Sequence, residues 1–184
     1  QLVAFDTETT SLDPMLARSR RHERRLELIV ELERRGCYRV ERLLDLTHHE
    51  MQQRFLEGTG SVVFDHLGRV AYACLSPRTS AVVLDELCAE LGYEAVTFTA
   101  TDRSGAPVYH TNVLLSIGTG FAMVCAEAIA PSERDALLER LAAGGRRVVR
   151  IDYAQLGSFA GNVLELRAAS GARVLAASQR ALDS

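Results

Sequence analysis

Two residues able to do acid–base chemistry stand at matching places in this chain. Glu57 lies in Phe55-Leu-Glu-Gly-Thr-Gly-Ser61 and His110 in Tyr109-His-Thr-Asn112, each just ahead of an apolar segment that turns at glycine. A carboxylate beside an imidazole can fix its tautomer and stabilise its charged form, which suits general acid–base work. A single His beside a strand is as a rule structural, so the register with Glu57 is what gives His110 its functional reading. Asn112 follows two residues later, and Phe159-Ala-Gly-Asn162 is a third segment of the same kind.

Other groups carry less. Asp6 and Glu8 stand two residues apart on a strand-like run, so both point to one side and suit a shared divalent metal. His48-His49 is followed by Glu50, but without further ligands at metal spacing the group reads as a polar loop rather than a zinc site. The arginines between Arg18 and Arg25 read as a solvated helix start, and Gly58-Thr-Gly60 is too short for a phosphate-binding loop.

The elements that must position Glu57 and His110 repeat. Residues 61–75, 112–125 and 162–176 each read as two short strands about a glycine turn, and their first positions are separated by 51 and 50 residues. Behind the first hairpin the spacing predicts a helix over Ala81–Leu91, with Val82, Val83, Leu84, Leu87, Cys88 and Leu91 on one face, then a strand over Glu94–Thr99. Behind the second come a helix from Pro131 carrying Leu137, Leu138 and Leu141, and a strand over Val148–Ile151. Ahead of the first unit, Arg24–Arg35 predicts a helix with Leu26, Ile29, Val30 and Leu32 inward, and Tyr38–Leu44 a strand. The unit is strand, strand, helix, strand, and the third copy ends where its helix should begin. One such unit cannot bury its own apolar face, so the units are expected to stack or close a ring.

Composition agrees with a folded domain. The chain has 184 residues, 47% hydrophobic and 24% charged, which excludes wholesale disorder. A formal net charge of −3 gives no general attraction to nucleic acid or anionic membranes, and no apolar run approaches a membrane span. Cys37, Cys74, Cys88 and Cys125 lack metal or redox spacing and read as reduced thiols, with Cys74 and Cys125 buried, so a cytoplasmic location is expected.

From Pro14 to Ser184 the chain resembles the citrulline utilization hydrolases, members of the arginine deiminase-like, guanidine-modifying superfamily. The resemblance rests on Pro14–Arg25, Phe55–Ser61, Ala71–Thr79, Tyr109–Val113 and Phe159–Leu166. It implies an α/β fold, a partial propeller of pentein type built from these units of about 50 residues, and no metal or organic cofactor. It implies that His110 is the catalytic acid–base, that Glu57 orients or assists it, and that Asn112, where several relatives carry Asp, contacts substrate. The family's nucleophile is a Cys in a later glycine-rich stretch, and none of the four cysteines matches it. The 184 residues are therefore expected to be a hydrolase fragment, inactive alone, for a ureido or guanidino small molecule.

Residues 1–13 are set apart from the domain over 14–184 as a segment whose origin the sequence leaves open, since Leu2–Asp13 is similar to the first motif of the DEDD 3′–5′ exonucleases. That similarity offers the alternative of a metal-dependent exonuclease piece using Asp6 and Glu8. The third reading is a non-catalytic module that self-associates through the exposed edges of an incomplete ring.

Overall fold

The computed structural model describes residues 26–36 and 38–184. Its organising feature is a unit that occurs twice in full. In the first, strand β1 (Val63–Asp65) pairs antiparallel with β2 (Val70–Cys74), a helix (Ala81–Leu91) crosses back, and β3 (Glu94–Phe98) pairs parallel with β2. In the second, β4 (Leu115–Ile117) and β5 (Phe121–Val124) are antiparallel, a helix (Pro131–Ala142) follows, and β6 (Arg147–Arg150) lies parallel to β5. A third hairpin, β7 (Leu164–Arg167) with β8 (Arg173–Ala176), leads into a one-turn helix (Gln179–Leu182) capped by the Ser178 side chain. The first strands are neighbours in space, β1 against β4 and β4 against β7, so successive units present the same edge to a common interior.

Alternation along β2 explains how the units join. Val70, Tyr72 and Cys74 enter a core shared with Leu114, Leu115, Val124 and Leu141 of the second unit. Ala71 and Ala73 face the other way, onto Val83, Leu84, Leu87 and Cys88 of the helix behind. A central strand covered on both sides reads as a continuous apolar run, as β2 does. At the joint, Asp65 and Arg146 make a buried two-pronged ion pair at 2.5 and 2.6 Å, and the Asp65 carboxylate also accepts from the Gly68 N–H at 2.8 Å.

Four sequence expectations change. The strand expected over Tyr38–Leu44 does not form: no described strand lies beside it, and side chains hold it instead, Glu33 accepting from the Val40 N–H and Arg42 pairing with Glu90. Residues 61–62 and 112–114, expected at the start of the hairpins, belong to or adjoin the one-turn helices Gly58–Ser61 and Thr111–Leu114. A short apolar run cannot distinguish these conformations, and buried hydroxyl contacts decide them here. In the first helix, α1 (Leu26–Arg34), Ile29 and Leu32 are half-buried but Val30 turns outward. In the helix Ala81–Leu91, Val82 is likewise exposed, since it lies off the stripe of Val83, Leu84 and Leu87.

Candidate active site

Glu57 and His110 occupy the same structural position in successive units. Each immediately precedes a one-turn helix, Gly58–Ser61 for Glu57 and Thr111–Leu114 for His110, and each such helix runs into the first strand of its unit. Neither side chain caps its own helix, so both can reach across to the other. The two helical turns pack together, and His110 Nε2 is hydrogen-bonded to Glu57 Oε2. Arg78 Nη1 stands 3.7 Å from the same carboxylate oxygen. Glu57 is therefore buried between an imidazole and a guanidinium, an arrangement that offsets the cost of burying its charge.

Hydroxyl groups set the spacing of the two turns. Ser61 Oγ accepts from the Glu57 N–H at 2.8 Å and from Thr79 Oγ1 at 2.8 Å, and donates to the Arg78 carbonyl at 2.9 Å. Thr111 Oγ1 accepts from the Cys74 N–H at 2.7 Å and donates to the Ser61 carbonyl at 2.5 Å. All three hydroxyl residues are buried. Gly60 provides room for the imidazole: a Cβ built there would lie 2.8 Å from His110 Nδ1. Tyr109 packs beside both residues that flank Glu57, its ring centroid 4.8 Å from that of His110 and 5.1 Å from Arg78 Cζ.

Sequence reasoning named Glu57 and His110 and missed Arg78, Ser61, Thr79 and Thr111. The signal for Arg78 was its place in Ser76-Pro-Arg-Thr79 directly after the first hairpin; nothing in the sequence marked the hydroxyl relay. Asn112 lies half-buried on the one-turn helix after His110. Asp6, Glu8, Arg18–Arg25 and Cys37 lie outside the described residues.

The described thiols are poor nucleophiles. Cys74, Cys88 and Cys125 are buried and free, and burial pushes their thiols up, to about 12 for Cys74 and about 11 for Cys88. Cys74 Sγ lies 3.7 Å from the Val108 carbonyl, inside the core. A hollow of about 370 Å³ between the hairpins, lined by Asp65, Gly118, Thr119, Arg146 and Glu165, holds neither Glu57 nor His110. Of its charged residues, Asp65 is paired with Arg146 and Glu165 with Arg173, while Arg167 also lines it.

The family model for eukaryotic N,N dimethylarginine dimethylhydrolase matches residues 2–184. The chain belongs to this family. The match begins at residue 2 and so runs across the segment set apart from the sequence. No curated protein matches in sequence.

Among solved structures, the substrate-bound N-terminal domain of ArgZ, an arginine dihydrolase of the cyanobacterial ornithine–ammonia cycle, gives a TM-score of 0.54 at 19% identity over 67% of this chain and 42% of that one. Apo ArgZ gives 0.60 at 18% over 79% and 22%. AgrE bound to L-arginine gives 0.55 at 19% over 67% and 17%. These likenesses show the fold, a pentein-type mixed α/β architecture, and the chain spans less than half the length of each. Among the described residues the sheets stay separate and close no barrel. No described helix is long and apolar enough to cross a membrane.

Proposed function

We propose that Glu57 and His110 are the acid–base half of a hydrolase site for the guanidino or ureido group of an arginine-, methylarginine- or citrulline-like amino acid. The observation that carries this reading is the Glu57–His110 hydrogen bond, its carboxylate buried and its imidazole half-buried, built from equivalent positions of adjacent units. In this scheme a thiolate attacks the central carbon of the substrate group. His110 passes a proton to the departing amine or ammonia as the carbon–nitrogen bond breaks, leaving a covalent S-linked intermediate. Neutral after that transfer, it then takes a proton from the water that attacks the same carbon and releases the thiolate, and Glu57 stabilises the imidazolium present before the first transfer and after the second. Arg78, whose Nε is buried without a hydrogen-bond partner, offers its charge to an anionic group of the substrate, and Asn112 contacts the substrate beside His110.

The described cysteines are buried and protonated, so the scheme takes its thiol from outside the described residues. No metal or organic cofactor enters it. Buried, unpaired thiols fit a reducing compartment, and the cytoplasm is the proposed location.

The test is release of amine, ammonia and the amino-acid product from dimethylarginine, arginine and citrulline. The 184 residues alone are expected to release none. The chain extended by a segment that supplies the thiol is expected to turn over and to lose activity in His110→Ala by ~10²-fold or more. Activity of the short chain that disappears in Cys37→Ser, Cys74→Ser, Cys88→Ser or Cys125→Ser overturns the thiol assignment. An extended chain indifferent to His110→Ala overturns the site.

A further inference from the structure

A second cluster of chemically capable side chains joins the 3₁₀ turn Thr47–Gln52 to the helix Ala81–Leu91. His49 Nε2 lies 2.8 Å from one carboxylate oxygen of Glu86, and His48 Nε2 lies 3.8 Å from the other. The two imidazoles are neighbours in space as well as in sequence, with ring centroids 4.2 Å apart. One ligand atom from each of the three residues lies within 4.8 Å of the other two. We propose that His48, His49 and Glu86 form a binding site for a divalent transition metal of the zinc class, with water completing the coordination.

The donor set is the first argument. The two imidazoles are borderline ligands that suit zinc, copper and nickel better than magnesium or calcium, and a carboxylate is an ordinary third ligand for zinc. Geometry is the second. A tetrahedral ion bound at ~2.1 Å needs ligand atoms about 3.4 Å apart. The two imidazoles approach opposite oxygens of Glu86 at 2.8 and 3.8 Å, and with one ligand atom from each residue within 4.8 Å of the others, side-chain rotation can bring the three onto one ion. Accessibility is the third. The His48 side chain is 56% exposed and that of Glu86 40%, so an ion can enter without unfolding, while the His49 ring, 6% exposed, is already fixed.

The buried ring also bounds the affinity. His49 Nδ1 is buried with no hydrogen-bond partner. When the metal takes the Nε2 lone pair, the ring proton sits on Nδ1, where no described atom accepts it. Metal-bound imidazoles in tight sites place that N–H on an acceptor, so this site should bind less tightly than a closed four-ligand zinc site. Occupation would clamp the turn before Glu57 onto the helix behind β2. Leu46 and Leu56, which flank that turn, already pack with Val83 and Leu87 of the helix.

The test is calorimetric titration of the 184-residue chain with Zn²⁺, together with optical titration with Co²⁺. One saturable equivalent is expected, with visible bands of nitrogen and oxygen coordination and no thiolate charge-transfer band. His48→Ala and Glu86→Gln should each weaken binding more than about tenfold. Both side chains are substantially exposed, so the variants should keep the parent circular dichroism, and Zn²⁺ should raise the melting temperature of the parent alone. Absence of saturable binding, binding that survives both substitutions, or a thiolate band that vanishes in Cys37→Ser would each overturn the proposal.

Discussion

The first hairpin and the third share a sequence pattern and meet opposite surroundings. All five residues of β2 are buried, and all four of β8 are exposed. Both strands have an antiparallel partner, so backbone pairing does not separate them. What separates them is cover. β2 has β3 on its free edge, a helix on its alanine face and the second unit on its tyrosine face. The sheet of β7 and β8 has two strands, and its helix is the single turn Gln179–Leu182. A repeat unit takes most of its stability from its neighbours, and the site is built where neighbours are complete. Glu57 and His110 meet between the first and second units, away from the exposed hairpin.

The largest effect should come from breaking the joint between those complete units. Asp65→Ala leaves the Arg146 guanidinium, whose side chain is 8% exposed, without its partner. Loss of one member of a buried pair costs about 3–5 kcal/mol, readable by urea unfolding. Burial raises the Asp65 carboxyl, but the Gly68 N–H, the Arg146 hydrogen bonds and charge, and the Leu67 N–H together hold it below its ordinary value. A folded-state value below the unfolded one contributes stability above the unfolded carboxylate range. That contribution is lost as pH falls through ~4 toward the folded value. Asp65→Ala should therefore flatten the loss of stability on the acid side. An unchanged acid profile would mean that the pair does not join the units.

Leu84→Ala sharpens the contrast in cover directly. Leu84 is fully buried against Ala71 and Ala73, and its truncation should cost about 2–5 kcal/mol. Leu175→Ala in β8, where the side chain is 47% exposed, should cost under about 1 kcal/mol. Equal losses at the two positions would show that the third hairpin finds cover in solution.

Thr111→Val probes the site rather than the core. It removes the acceptor of the Cys74 N–H and the donor to the Ser61 carbonyl while keeping the side-chain volume. Two backbone groups left unsatisfied should cost about 1–3 kcal/mol. In an active extended chain, catalysis should fall further than stability alone accounts for, because the turn carrying His110 loses its tie to the turn carrying Glu57. Unchanged turnover would make the hydroxyl relay purely structural.

These positions show what could be read from the sequence and what could not. The period of about 50 residues, the helix Ala81–Leu91 and the stripe Leu137, Leu138 and Leu141 were legible because burial imposes spacing on residue type. Glu57 and His110 were legible because they sit in register. The one-turn helices were not, since four residues are too few to show a period. Nor was the short helix Tyr153–Gly157, although the Asp152 and Gln155 capping box that starts it was present in the sequence. Ser61, Thr79 and Thr111 were invisible because the contacts that define them join residues far apart in sequence, as does the tie of Glu86 to His48 and His49.

The smallest effect on stability should come from the third hairpin, where the consequence is instead association. Leu164 pairs with Ala176 and Leu166 with Val174, so these four side chains share one face of the two-stranded sheet. Leu164, Leu166 and Val174 are 60%, 45% and 47% exposed. The opposite face carries Glu165, Arg167 and Arg173 with the single apolar residue Leu175, and Glu165 and Arg173 pair there at 3.2 Å. Gly161 anchors the approach to β7: a Cβ there would lie 2.3 Å from the Val113 carbonyl, so the hairpin cannot easily shift to bury its apolar face against the second unit. An open apolar face beside unpaired strand edges favours pairing with another copy. Light scattering should show apparent mass rising with concentration for the parent chain. The triple substitution Leu164→Ser, Leu166→Ser and Val174→Ser should abolish that rise while shifting the urea midpoint little, by about 0.5 kcal/mol per site. A parent chain that stays monomeric at every concentration would break the comparison, because it would show that the exposed hairpin needs no cover.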